Sequence, residues 1–258
     1  MASAIPYRRT SGAFRRTVAG RSVSLWSLAE SRRRAVVELA AALDPDPDHG
    51  AQVARLAMAM FEGTRRNHGL GSLDRELLES AALLHDVGAS VSRSKHHRHT
   101  QYLILHAALP GFDREEVRWI ATIARFHTGR TPKLSHDELA CFEPRDRRRI
   151  LQLAAMLRVA DALDHSHRGR VVGLRVIEGT DGATLDVAVR DEDPGLELWA
   201  AERKAGLWRR CFGSTLRFRI RRFSVASGRH SLGAEERALR EVRRAARGAH
   251  LRRVVDRR

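Results

Sequence analysis

Apolar residues recur at helical spacing through the first two thirds of the chain, and this spacing restricts the fold more than any other feature of the sequence. A first helix is predicted at Leu25–Leu43. Asp48 is then predicted to cap a second helix, on which Val53, Leu56 and Met60 share one face. Further helices are predicted at about 73–86, 97–108, 113–127 and 144–165. We therefore expect this part of the chain to be α-helical.

The pattern changes near residue 169, where strands and turns replace the long helices. Alternating residues predict strands at 171–177 and 183–189, joined by a hairpin turn, and then a helix at 195–211 and a strand at 214–223. We predict a mainly α protein, in which a helical domain precedes a small α+β subdomain. The predicted boundaries are a disordered segment at 1–22, the helical domain at 23–168, the subdomain at 169–225 and a basic tail at 226–258.

The net charge of +16 comes almost wholly from arginine, because lysine occurs only at Lys95, Lys133 and Lys204. Two interpretations stay open. In the first, the genome is GC-rich and its codon usage favours arginine over lysine at basic positions. In the second, the clustered positive charge attracts a polyanionic partner. Charge alone does not distinguish polyphosphate, nucleotide and nucleic acid as that partner.

Several classes of protein are disfavoured by the sequence. No apolar run approaches the roughly 18–20 residues of a membrane span, and the basic N-terminal stretch lacks the apolar segment of a secretory signal. Cys141 and Cys211 have no metal-ligand spacing and suggest no disulfide framework. We therefore expect a cytoplasmic protein without a membrane partner.

Polar residues at four positions fall on or beside the apolar faces of predicted helices. His49 lies one turn before Val53, the His85-Asp86 pair ends an alanine-leucine helix, and Asp161 lies one turn after Leu157. A buried ionised carboxylate needs a partner, a proton or a metal. Taken singly, a satisfied core histidine is the simpler interpretation of His49, and Arg158 is an equally good partner for Asp161. Together, His49, His85, Asp86 and Asp161 predict a site for Mn²⁺, Mg²⁺ or Fe²⁺.

A second histidine cluster lies in the Lys95–His99 segment, and His127 closes a later predicted helix. His97, His99 and His127 are candidates for a second metal bridged by Asp86, or for direct contact with phosphate. The simpler alternative is a basic cluster that only caps helices. Four cations are candidate phosphate ligands, although each is also explained as a solvated surface charge: Lys95, Arg98, Arg125 and Arg130.

In their order, these motifs resemble the C-terminal HD domain of the Ppx/GppA exopolyphosphatases. The resemblance covers about residues 25–223 and is carried by Asp48-His49 and by the segments 52–57, 78–88, 96–104, 109–112, 120–127 and 157–164. It implies an HD-type helical core and a role in the metabolism of polyphosphate or of guanosine penta- and tetraphosphate. It also implies that His49, His85, Asp86 and Asp161 match the H…HD…D metal ligands of the HD superfamily.

Two departures from the family pattern limit what can be transferred. The sequence contains no two-lobed, actin-like catalytic half and no glycine-rich phosphate loop, so exopolyphosphatase chemistry does not follow directly. Phe126 precedes His127 where two-metal HD phosphodiesterases usually carry paired histidines, and no lysine follows the HDVG motif at 85–88. Both features disfavour a two-metal site and a cyclic-dinucleotide phosphodiesterase.

We favour an enzyme, a metal-dependent phosphohydrolase in which His85 and Asp86 are catalytic and the substrate is polyphosphate, guanosine tetra- or pentaphosphate, or a nucleotide. The alternative is a non-catalytic module that binds polyphosphate or nucleotide and partners a separate actin-like exopolyphosphatase. A third, weaker hypothesis is nucleic-acid binding through the tail at 226–258. The chain is also a candidate homodimer.

Overall fold

The computed structural model of the protein describes residues 17–18, 21–22, 25–179, 182–190 and 193–222, with side chains described from residue 30 onward. The predicted tail at 226–258 lies outside these residues, as do residues 1–16 and 19–20 of the predicted disordered segment. Two short strands pair within 17–22, β1 (Thr17–Val18) and β2 (Arg21–Ser22). The disorder of the first 22 residues and the domain boundaries stay predictions.

Helices dominate the rest of the described chain and confirm a mainly α fold with a small α+β part. The helices are α1 (Leu25–Leu43), α2 (Pro47–Gly63), α3 (Arg65–His68), α4 (Ser72–Leu84), α5 (His96–His106), α6 (Arg114–Arg125), α7 (Pro144–Ala162), α8 (Gly195–Lys204) and α9 (Gly206–Phe212). Short 3₁₀ turns occupy Val87–Ser90 and Asp137–Leu139. No helix among the described residues combines the length and apolar character that a membrane span requires.

The first turn of α2 corrects one prediction. The N-cap is Asp46, whose side chain accepts the His49 backbone N–H at 3.3 Å, and not Asp48. Pro47 explains the difference, because its fixed φ and missing N–H suit the first position of a helix. The helix therefore begins one residue before Asp48, and His49 is held in its first turn.

The core surrounds α4, which packs against α1, α2, α6 and α7. Leu77, Leu78, Ala81 and Leu84 of this helix are almost fully buried, as the sequence pattern predicts. Burying a leucine side chain contributes about 1.5–3 kcal/mol. This packing fixes the end of α4, and with it the His85-Asp86 pair.

The α+β part contains β3 (Val171–Gly179), β4 (Gly182–Val189) and β5 (Thr215–Arg222), in the sheet order β3-β4-β5. β3 and β4 are antiparallel, whereas β4 and β5 are parallel. The single helix predicted at 195–211 is wrong, because α8 ends at Lys204 and α9 begins at Gly206. Glycine has low helix propensity, which favours a break there. Both helices pack on α7 and bring Lys204 to its end.

Candidate metal centre

The four predicted metal ligands meet where α2, α4 and α7 converge. His49 comes from the first turn of α2, His85 and Asp86 follow α4, and Asp161 lies in the last turn of α7. The Nε2 atoms of His49 and His85 lie 3.6 and 4.0 Å from Asp161 Oδ1, and His85 Nε2 lies 3.8 Å from Asp86 Oδ1. The packing of three helices thus gathers two imidazoles and two carboxylates around one point.

Hydrogen bonds fix the orientation of both imidazoles. His49 Nδ1–H donates to Asp164 Oδ2 at 2.8 Å, and His85 Nδ1–H donates to the Ala82 carbonyl at 2.7 Å. Because both acceptors are oxygens that carry no hydrogen, each Nδ1 carries a hydrogen and each Nε2 faces the site. Both Nε2 atoms and Asp86 Oδ1 are buried and have no hydrogen-bond partner among the described residues.

Two ionised carboxylates supply negative charge to the centre. Burial would raise the pKa of Asp86, but His85, His127 and His96 outweigh it and hold that pKa below its ordinary value. Burial likewise opposes ionisation of Asp161, whose pKa the Lys204 ammonium and His49 hold well below its ordinary value. Both carboxylates are therefore ionised. Unpartnered lone pairs and ionised oxygens form the kind of donor set that binds a divalent metal.

The carboxylates also act on His49. Burial alone would lower the pKa of His49, but Asp161 and Asp164 outweigh it and raise that pKa to about 10. A metal that binds His49 Nε2 has to displace this proton.

A second group of ligand atoms adjoins the first through Asp86. His96 Nε2 and His127 Nε2 lie 2.9 Å apart, and they lie 3.2 and 3.4 Å from Asp86 Oδ1. Both Nδ1 atoms donate to backbone carbonyls, those of Arg93 and Ala124, so the two Nε2 atoms face each other and share either a proton or a metal. Asp86 raises the pKa of His96 above its ordinary value, so without a metal the His96 Nε2–H donates to His127. Ligand atoms about 2.1 Å from one metal lie roughly 3.0–3.4 Å apart. These three atoms therefore fit a metal.

The structure divides the predicted second set between two places. His127 lies in the cluster beside Asp86, together with His96, which the sequence analysis noted without choosing it as a candidate. His97 points into a different cavity, described next, and has no contact with Asp86 among the described interactions; neither has His99. The reason is helical phase: one residue turns about 100° around a helix, so His96 and His97 at the start of α5 face different sides.

The four predicted phosphate ligands line one basic cavity of about 380 Å³. Its lining includes Lys95, Arg98, Arg125 and Arg130, with His97 and His136. Glu138 also lines the cavity and pairs with Arg125 at 2.9 Å. Burial and the neighbouring Arg125 lower the pKa of His97 to about 4. His96 and His127, which lie beside Asp86, are neighbours in the sequence of residues that line this basic cavity.

The model of the Ppx/GppA phosphatase family, domain III, matches residues 31–193 of this chain. The chain belongs to this family. Membership associates it with phosphatases of polyphosphate and nucleotides, and the His/Asp groups of this Ppx/GppA domain are compatible with a divalent metal. All the ligand atoms described above, and the basic cavity, fall inside the matched segment.

Lys204 lies outside the segment that the Ppx/GppA domain matches, yet its ammonium contacts the Asp161 carboxylate. No local sequence signal marks this lysine as a site residue, because its partner lies in a helix far away along the chain. Asp164, which anchors His49, lies in the segment 157–164 and is a site residue that the sequence analysis does not predict. Its spacing of three from Asp161 is a helical spacing and could have indicated it.

Proposed function

We propose that the chain is a metal-dependent phosphohydrolase that cleaves a phosphate ester or anhydride. His49, His85, Asp86 and Asp161 would hold the metal, and His85 and Asp86 would be essential for catalysis. A divalent metal there would supply a water of lowered pKa and would polarise the phosphoryl group. The observation that carries the proposal is the set of buried, unpartnered atoms at one point: His49 Nε2, His85 Nε2 and Asp86 Oδ1.

A second metal on Asp86, His96 and His127 extends this proposal. Its support is the triangle of 2.9, 3.2 and 3.4 Å between their ligand atoms. Asp86 would be shared between both metals, which makes it the most informative residue to change. Two-metal sites stabilise both the attacking and the leaving oxygen in phosphoryl transfer.

The basic cavity would bind the remaining phosphates of the substrate. Arginine forms paired hydrogen bonds to phosphate oxygens, and lysine adds a point charge. Polyphosphate, guanosine tetra- or pentaphosphate and nucleotides all fit this chemistry. Cys141 and Cys211 are both free thiols, which agrees with the cytoplasmic location that we propose.

The experiment measures phosphate release from polyphosphate, guanosine tetraphosphate, nucleotides and a generic phosphodiester, with and without Mn²⁺. Asp86→Asn preserves the shape of the side chain but removes its charge, and the exposed Asp137→Asn is the matched control. We expect metal-dependent release that Asp86→Asn abolishes and Asp137→Asn retains. Bound metal is quantified in every sample. Metal-loaded protein that releases phosphate from no substrate would refute a phosphohydrolase.

The second candidate function is a non-catalytic module that binds polyphosphate or nucleotide, with a separate exopolyphosphatase subunit as its partner. The basic cavity favours it, since four cations line it and, among the described ion pairs, only Arg125 of the four pairs with an acid. This function predicts salt-sensitive polyphosphate binding that survives Asp86→Asn and is lost in Arg98→Gln/Arg130→Gln. Homodimerisation stays a proposal that light scattering would test.

A further inference from the structure

A second cavity, of about 360 Å³, lies between α7, α9 and the segment that joins α6 to α7. None of the proposed metal ligands and none of the residues of the basic cavity line it. We call its buried or half-buried apolar lining residues, Pro132, Leu151, Leu207 and Cys211, the floor of the cavity. Leu207 is only 1% exposed and Leu151 only 5%, so this floor belongs to the core.

The walls of this cavity are joined by a direct hydrogen bond. The Arg210 guanidinium of α9 donates to the Pro132 carbonyl at 2.6 Å. Because this bond ties α9 to the segment between α6 and α7, the cavity is part of the packing of the fold. Its volume falls within the range of about 300–1,000 Å³ that is usual for small-molecule sites.

The rim of the cavity carries positive charge. Lys133, Arg148 and Arg210 line it, and no acidic residue does. Lys133 and Arg148 are exposed, and neither takes part in an ion pair among the described residues. A buried apolar floor under an unneutralised cationic rim complements a molecule that joins an apolar body to an anionic head.

We propose that this cavity binds a small organic anion with an apolar body, such as a medium-chain carboxylate. The apolar body would pack on the floor and cover Leu134, which also lines the cavity and is 48% exposed, and the carboxylate would meet Lys133 and Arg148. Two simpler ligands fit the cavity less well. Inorganic phosphate has no apolar part to cover the floor, and a neutral hydrocarbon has no negative charge to pair with the cations of the rim. The site is independent of the proposed phosphohydrolase activity.

The two cysteines of the chain provide the test. Cys211 lines the cavity, whereas Cys141 is exposed elsewhere and is an internal control. The full-length protein is alkylated with N-ethylmaleimide while octanoate is titrated, and mass spectrometry follows each cysteine separately. We expect octanoate to slow the modification of Cys211 at least roughly threefold at saturation, with Cys141 unaffected. Equal slowing at both cysteines, or none, would overturn the proposal.

Two comparisons test the role of charge. 1-Octanol has the same apolar body without the anion, and we expect it to protect Cys211 at least roughly threefold less effectively. The variant Lys133→Gln/Arg148→Gln should raise the octanoate concentration for half-protection roughly three- to tenfold. The matched control Arg114→Gln/Arg118→Gln removes two exposed charges on α6. It should leave the octanoate concentration for half-protection unchanged. Equal protection by octanol, or an equal effect of both double variants, would refute recognition of an anion.

Discussion

At the scale of single residues, Lys204 brings a positive charge to the centre where we propose a metal. Its ammonium contacts the Asp161 carboxylate, so it competes with a cation for that charge. We expect Lys204→Met to bind Mn²⁺ roughly tenfold more tightly, because like charges at close range repel even at an effective dielectric constant of about 20. Isothermal titration calorimetry measures the affinity. Lys133→Met, which changes an exposed lysine, should bind Mn²⁺ like the wild type.

The opposite result would also be informative about Lys204. If Lys204→Met binds Mn²⁺ more weakly, the lysine orients Asp161 for the metal and does not compete with it. Lys204→Arg separates the two roles further, because it retains the charge while it changes the donor geometry.

His68 gives a residue-scale prediction about pH. Its Nε2–H donates to the Phe61 carbonyl and its Nδ1 accepts the Leu70 N–H, so the folded protein holds it neutral. Burial lowers its pKa below the ordinary value of 6.5. Below about pH 6.5 the unfolded chain therefore binds the proton more readily, and the free energy of unfolding decreases as the pH falls through the lowered pKa.

Urea unfolding with a metal chelator present, at pH 7.5 and 5.5, measures this effect. We expect His68→Gln to unfold with about 1–3 kcal/mol less free energy at pH 7.5, because buried backbone groups lose partners. We also expect the free energy of unfolding of His68→Gln to decrease less between pH 7.5 and pH 5.5 than that of the wild type. An unchanged pH dependence in the variant would show that other groups cause it.

At the scale of elements, the contact between the 3₁₀ turn Val87–Ser90 and α5 depends on a glycine. A Cβ added at Gly88 would lie 2.2 Å from the Thr100 nitrogen and 2.3 Å from the His96 carbonyl oxygen. Backbone atoms cannot yield to such a contact, so Gly88→Ala has to move α5 away. We expect a loss of about 2–4 kcal/mol in the free energy of unfolding.

Chemical unfolding of Gly88→Ala tests this prediction, with Gly206→Ala as its control. A Cβ at Gly206, which begins α9, would meet no atom within 4 Å apart from its chain neighbours and the backbone of its own helix. We expect Gly206→Ala to change the free energy of unfolding by less than about 1 kcal/mol. Similar losses in both variants would mean that the close approach at Gly88 is not what limits substitution.

The elements also show where sequence analysis succeeds and where it fails. The helices that build the core follow a clear apolar period, so their positions and the inward histidines could be predicted. α5 leaves Tyr102 62% and Leu105 41% exposed, and its apolar residues therefore do not mark its inner face. For this reason the sequence does not indicate whether His96 or His97 faces Asp86. The contact of Lys204 depends on the packing of α8 on α7, which no local pattern encodes.

At the scale of the whole molecule, the proposed metal would connect elements that are distant in the chain. His49 belongs to α2, His85 and Asp86 follow α4, and Asp161 belongs to α7. Unfolding separates these elements, so the unfolded chain has no preformed site. A ligand that binds only the folded state stabilises it in proportion to the logarithm of its concentration.

We therefore expect Mn²⁺ at about one hundred times its dissociation constant to raise the free energy of unfolding by about 2.7 kcal/mol. Chemical unfolding with Mn²⁺, compared with unfolding in the presence of a chelator, measures this difference. Asp161→Asn should abolish the stabilisation, because it removes a charged ligand without changing the shape of the side chain. Asp137→Asn should retain it. If Asp161→Asn is stabilised as much as the wild type, the metal binds outside the proposed centre, and the cluster of buried imidazoles and carboxylates needs another explanation.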